Sequence, residues 1–279
     1  MLDFLRAGLK RNHPLVFDSA LLPRLDLNIR QKINEVDGAK IKAYHNVVQW
    51  QETQHDDIHP CFLHLYAFKQ HMQLMLNEQF PFALLGIVHL SNQIEVLMPL
   101  DRSSELELES KLVSFERHVK GISFKIESTF YQHQQVIWQS VSELLAVNKS
   151  CFTGKSQSSP YQFDTNLDFM SQWHCDTGIG RRYGKVSGDL NPIHLSQTSA
   201  KLFGFKSAIA HGMWSKARSV SEFQQQISDR FFVKVNFLKP LFLPSDVILW
   251  RASNSASETQ FVLTSEDKQI CHCKGQIRL

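Results

Sequence analysis

Apolar residues recur at helical spacing along residues 60–80, PCFLHLYAFKQHMQLMLNEQF, where Leu63, Tyr66, Ala67, Met72 and Met75 predict a helix. A stretch of strand character follows at 87–100, IVHLSNQIEVLMPL, and ends in Pro99-Leu100. The same order returns later in the chain. AIAHGMWSKARSVSEFQQQI predicts a second apolar helix at 208–227, and FFVKVNFLKPL at 231–241 predicts a strand ending in Pro240-Leu241. After each Pro-Leu, alternating apolar and polar positions mark further strands: LELESKLVSFE, GISFKIESTF and QVIWQSVSELLA, then DVILWRAS, TQFVLTS and QICHCKGQIRL. Strand alternating with turn in this way suits an antiparallel meander. The pattern therefore predicts an α+β chain in which one kind of domain occurs twice, each copy a curved antiparallel sheet wrapped around a central helix. Two such sheets joined edge to edge would each lose an exposed edge strand.

Between the copies, NKSCFTGKSQSSPYQF collects Ser, Gly, Lys and Pro and reads as a linker. The expected division is a first domain at 1–147, a linker at 148–162 and a second domain at 163–279. At 279 residues and 43% hydrophobic content, the chain can give each domain a core of its own. The apolar run near the N-terminus is interrupted by Asp3, Arg6 and Lys10, too soon for a signal sequence, and no later window approaches a membrane span. A cytoplasmic protein without a membrane partner is the expectation. Five scattered cysteines, Cys61, Cys151, Cys175, Cys271 and Cys273, do not make a disulfide framework and fit a reducing compartment. Alternation would put Cys271 and Cys273 on one face of a strand with no matching ligand cluster elsewhere, so core packing is expected there and a metal is not.

A net charge of +3, without a long basic run interleaved with aromatics, argues against nucleic acid as a partner. The distribution is more informative than the total. Between Arg181 and Pro240 ten Lys and Arg face three acids, Asp189, Glu222 and Asp229. A solvated helix face accounts for such a run, and so does a phosphate-bearing ligand or an acidic carrier protein.

The basic stretch surrounds YGKVSGDLNPIHLSQTSA, residues 183–200. Ser187, Gly188, Asp189 and Asn191 are turn formers, Asn191 is a good N-cap, Pro192 suits the first helical position, and Leu195, Thr198 and Leu202 are helically spaced. Asp189 then falls in the turn and His194 in the first helical turn, within reach of a common point where the helix dipole favours an ionised Asp and a neutral His. Such a pair can hold a water and exchange protons with it. On local grounds alone, Asp189 bracing the turn and His194 capping or packing explain the residues as well. Downstream, in SAIAHGMWSKARS, Ser207 could initiate a helix with Gly212 near its start. The unpartnered amide of Gly212 could donate to a carbonyl oxygen that becomes negative, or the glycine could simply permit close packing. His211, between Ala210 and Met213, reads as a packed or hydrogen-bonded histidine.

The 183–200 stretch resembles the signature of the MaoC-like, type 2 (R-specific) enoyl-CoA hydratases. It runs aromatic, short spacer, aliphatic, small residue, Gly-Asp-x-Asn-Pro, aliphatic, His, and Ala after five more residues. FGFKSAIAHGM looks like the segment that supplies the central helix and oxyanion donor in that family. The resemblance implies a tandem, or double, hot-dog fold. Roughly Phe163 to Leu279 would be the catalytic copy, and the first copy, lacking the signature, a degenerate partner as in the two-domain 3-hydroxyacyl-thioester dehydratases. It implies that Asp189 and His194 bind the water, that the Gly212 amide polarises the thioester carbonyl, and that Asn191 positions the loop. The implied reaction is reversible hydration of a trans-2-enoyl thioester to the (R)-3-hydroxyacyl thioester, with no cofactor, on an acyl-CoA or acyl-carrier-protein substrate. A homodimer is compatible with it. The vacated first copy would make room for a bulkier acyl chain, with Phe62, Phe68, Phe80 and Phe82 supplying aromatic bulk. Two other readings compete: a hot-dog acyl-CoA thioesterase, which would not need His194, and a catalytically inert acyl-binding module.

Overall fold

The computed structural model describes residues 10–12, 22, 24–52, 58–148, 161–255 and 258–278. Cys151 and residues 149–160 of the expected linker lie outside them. Ten strands form one antiparallel sheet: β1 (Asn28–Ile33), β2 (Ile87–Val96), β3 (Leu106–His118), β4 (Gly121–Gln132), β5 (Gln135–Val147), β6 (Asp168–Cys175), β7 (Phe231–Phe237), β8 (Ser245–Ser255), β9 (Glu258–Ser265) and β10 (Cys271–Arg278). Six α-helices are described with them: α1 (Gly38–Val48), α2 (His64–Leu76), α3 (Ile179–Ser187), α4 (Pro192–Leu195), α5 (Gln197–Lys201) and α6 (Gly212–Ser221).

The strand order is β1-β3-β4-β5-β2-β7-β10-β9-β8-β6. Read outward from the β2–β7 junction, the two halves of the sheet are the same list: β2, β5, β4, β3, β1 on one side and β7, β10, β9, β8, β6 on the other. The two expected sheets are thus one continuous sheet. Its seam is the antiparallel β2–β7 pairing, Ser91 opposite Asn236 through Val96 opposite Phe231, which satisfies the backbone groups of two strands that would otherwise be edges.

The two apolar helices are present, with trimmed ends. Residues 60–63 form a turn that takes in Leu63 before α2, and α2 buries Ala67, Met72 and Met75 as the periodicity requires, whereas Tyr66 is half-buried and Leu65, outside the expected set, is buried. The helix also buries His64, Gln70 and His71, which a count of apolar positions misses. Helix α6 begins at Gly212 and not at Ser207, because residues 208–210 run extended: Ile209 bridges Phe242, and Ala210 N–H donates to the Leu241 carbonyl at 2.8 Å. Strands β1 and β6 escaped the pattern because they lie at the sheet's outer ends and expose half or more of their residues, which removes the alternation that would reveal them. Helix α1, absent from the expected elements, is announced by Ile41, Tyr44, Val47 and Val48 at helical spacing and by its Asp37 N-cap, whose carboxylate accepts from the amides of Ala39 and Lys40.

The main core crosses the seam. Tyr44, Phe62 and Trp138 from the first half pack in one cluster with Trp214, Phe223 and Phe261 from the second. A second cluster gathers Phe80, Phe82 and Phe124 around Met72 and Met75. Polar bonds fasten α6 to the first half: Trp214 Nε1 donates to the Val47 carbonyl at 2.8 Å and Ser221 Oγ to that of Val48 at 2.7 Å. The fully buried Lys216 ammonium donates to Asn92 Oδ1 at 2.5 Å and to the Asn92 carbonyl at 3.1 Å. The CHC run departs from expectation in one respect. A register shift between Cys271 and Cys273 sends Cys273 into the main core and Cys271 to the opposite face beside Ile248, Trp250 and Val262. Both thiols are buried and free. Among the described residues, no helix is long and apolar enough to cross a membrane.

Candidate active site

The first five residues of the signature, Tyr183–Ser187, are not loop but the last turns of α3. That helix ends at Gly188, whose φ of 83° puts it in the left-handed region that glycine enters without steric cost, and whose N–H donates to the Gly184 carbonyl at 2.9 Å. The chain reverses through Asp189–Asn191, where Asp189 Oδ1 accepts from the Asn191 amide at 3.2 Å. Asn191 then caps α4, accepting from the Ile193 amide at 3.4 Å, with Pro192 at the first helical position. The helix is shorter than the spacing of Leu195, Thr198 and Leu202 predicts. Ser196 is extended (φ −159°, ψ 161°) and restarts the chain as α5, leaving Leu202 exposed.

Packing of α3 on α4 depends on Gly180, where an added Cβ would come within 1.9 Å of the His194 carbonyl oxygen. That close approach seats His194, which is buried. Its Nδ1 lies 2.7 Å from the Ile209 carbonyl oxygen, a group that only accepts, so Nδ1 carries the proton and Nε2 is left as the base atom. Residues 208–210 earn their extended shape here, since the strand-like segment supplies that carbonyl.

His211 is the third member of the group. Its ring stacks on that of His194, centroids 3.7 Å apart and planes 27° from parallel, and its Nε2 donates to the Asp189 backbone carbonyl at 3.0 Å. The Asp189 carboxylate stands 3.8 Å from the same nitrogen, with 23% of the side chain exposed against 3% for His211. His211 is therefore hydrogen-bonded, as its apolar neighbours suggested, and it also braces both members of the candidate pair. Asp189, His194 and His211 each bring a ligand atom within 4.8 Å of the others, a spacing a metal ion could span. This cluster is absent from the linear spacing because its members come from a turn, a short helix and the cap of α6.

Burial moves both members of the pair toward their neutral forms. It pushes Asp189 above the ordinary carboxylate value, with His194 and the Asn191 amide opposing. It pushes His194 below the imidazole value, with Asp189 and the Ile209 carbonyl opposing. His211 is driven down further, first by burial and then by His194. The expected neutral histidine is thus favoured. On Asp189 desolvation acts in the opposite direction to a helix dipole and raises its proton affinity.

Gly212 follows His211 as the first residue of α6, so its amide has no acceptor four residues back. Phe237 lies against it, within 3.1 Å of where a Cβ would be. The basic run around the site is partly neutralised. Lys216 is in the core, Arg218 pairs with Glu222, and Arg182 pairs with Asp176 at 2.5 Å.

Residues 164–268 match the MaoC like domain. Over 186 residues the chain is 27% identical to 3-hydroxyacyl-thioester dehydratase X of Mycobacterium tuberculosis, covering 67% of this chain and 66% of that protein. The crystal structure of HtdX from the same organism superposes with a TM-score of 0.77 at 24% identity, over 90% of this chain and 99% of that one. A further M. tuberculosis structure, described as a double hotdog fold, matches at a TM-score of 0.61 and 8% identity, over 95% and 98% of the two chains. Residues 164–268 are therefore similar to the MaoC like domain, and the chain as a whole is built on the double hot-dog fold.

Proposed function

We propose that the protein is a hydro-lyase that adds water reversibly across a trans-2-enoyl thioester to give the (R)-3-hydroxyacyl thioester, on a CoA or acyl-carrier-protein carrier. The observation that carries the reading is the bare Nε2 of a neutral, buried His194 beside a carboxyl group whose proton affinity burial has raised. His194 Nε2 takes a proton from water as the hydroxyl oxygen bonds to Cβ. Electrons of the Cα–Cβ double bond move toward the thioester carbonyl, and the Gly212 amide donates to the oxygen as it becomes negative. Asp189 delivers a proton to Cα, and the proton on His194 returns to Asp189 through the site, so that one water is consumed. Asn191 holds the turn that presents Asp189. No step needs a metal or an organic cofactor.

The domain division at 1–147 and 163–279 goes with this reading, since one half carries the signature and the other completes the sheet. Four buried thiols suit a reducing compartment such as the cytoplasm. The test is loss of enoyl absorbance on adding trans-2-enoyl-CoA thioesters of graded chain length. Release of free thiol without loss of the double bond would replace the hydratase reading with a thioesterase. No turnover with either carrier would leave an acyl-binding module.

A further inference from the structure

A cleft of about 860 Å³ opens between α1, α2 and α3. One end of its wall is Ser187 and Gly188, the residues immediately before Asp189, so the cleft borders the turn that carries Asp189. Its floor is apolar, with Val47, Leu65 and Met72 beneath it. Four cations line it, Lys40, Lys69, Arg182 and Lys185, and no carboxylate does among the described lining residues. Arg182 is committed to Asp176. Lys40 lies over the Tyr66 ring, 4.6 Å from its centroid; burial holds it below the ordinary lysine value and Lys69 adds to that, with Asp37 opposing. Lys69 and Lys185 are exposed, and neither takes part in an ion pair found among the described residues. An anion between α2 and α3 would relieve this one-sided charge. A bare acyl chain would use the floor and leave the cations unexplained. Inorganic phosphate would use the cations and not the floor.

We propose that the cleft seats the phosphate-bearing pantetheine arm of the thioester, with Lys69 and Lys185 holding phosphate and the apolar floor holding the arm as it enters toward Asp189. This assignment rests on the hydratase reading for the identity of the thioester, and on the cleft alone for the place where phosphate binds. Its chemistry is shared by CoA and by a carrier protein's prosthetic arm.

The test compares K69E/K185E with the wild type on a trans-2-enoyl-CoA and on the matching N-acetylcysteamine thioester, which has no phosphate. The expected result is a fall in kcat/KM at least roughly tenfold larger for the CoA thioester than for the truncated one, carried mainly by KM. A control variant, K111E/K234E, makes the same charge change on β3 and β7 and is expected to show no such selectivity. Equal losses on both substrates, or none, would overturn the assignment. The carrier-protein thioester separates the sources. A penalty there as well assigns the lysines to the phosphate common to both carriers, and a penalty on CoA alone assigns them to its nucleotide phosphates. If the wild type turns over neither substrate, the hydratase reading falls, and calorimetric titration with desulfo-CoA still decides the cleft. Binding weakened in K69E/K185E sustains it, and binding equal to wild type, or absent from the wild type, removes it.

Discussion

Replacing Gly212 by proline would delete a single N–H at a position where the backbone tolerates the change. Gly212 is the first residue of α6, and proline's fixed φ suits that position. The preceding His211 sits at φ −65° and ψ 136°, a ψ typical of the extended conformation that residues before proline adopt. The lost amide has no helical acceptor to forfeit, so the change falls on the oxyanion site. Removing one such donor costs about 2.7–4 kcal/mol in the transition state, or roughly 10²–10³ in kcat. The proline ring also occupies the space into which the amide points, which adds to KM if a carbonyl oxygen is meant to lie there. Sterics against Phe237, 3.1 Å from the new Cβ, are common to proline and alanine, so Gly212→Ala is the matched control that keeps the N–H. Stopped-flow measurement of enoyl absorbance on both variants, alongside thermal unfolding, gives the answer. The reasoning fails if Gly212→Pro and Gly212→Ala have the same kcat while both remain folded.

Asp189→Asn and His194→Gln should each lower kcat by roughly 10²–10⁴ with little change in melting temperature, read in the same assay; a rate within a factor of about three of wild type would remove that residue from the acid-base pair. Because burial depresses His194, the acidic limb of the kcat/KM profile should lie below the ordinary imidazole value, and a limb at or above pH ~6.5 would contradict the assignment. Gly180→Ala should displace His194 and cost about 1–3 kcal/mol of stability, measured by urea unfolding, together with most of the activity. Acid should unfold the protein early. His59, His71 and His89 are pushed by burial down to about 3, so they stay neutral in the fold while the unfolded chain takes up protons. Their contribution is fully present above pH ~6.5 and is lost as pH falls toward 3, with each histidine costing about 2 kcal/mol between pH 7 and 5. A urea midpoint that does not move over that interval would refute the neutral burial of these rings.

The sequence by itself determined the repeated helix-then-strands order and the turn of the candidate site, because both rest on local physics. Ala67, Met72 and Met75 face the core through helical period alone, and Gly188, Asp189, Asn191 and Pro192 write a turn and a cap within five residues. Only the tertiary structure decided how those pieces become a site. The β2–β7 seam merges two sheets into one, a pairing between strands about 140 residues apart that no local pattern encodes. His211 reaches Asp189, and Ile209 reaches His194, because residues 208–210 are held extended against Leu241 and Phe242 instead of joining the helix. The charge on Lys216 counted toward a basic surface in the linear reading and is spent inside the core on Asn92. Periodicity reports which side of an element meets the core, whereas a proton position such as that on His194 Nδ1 depends on which distant carbonyl the fold brings to it.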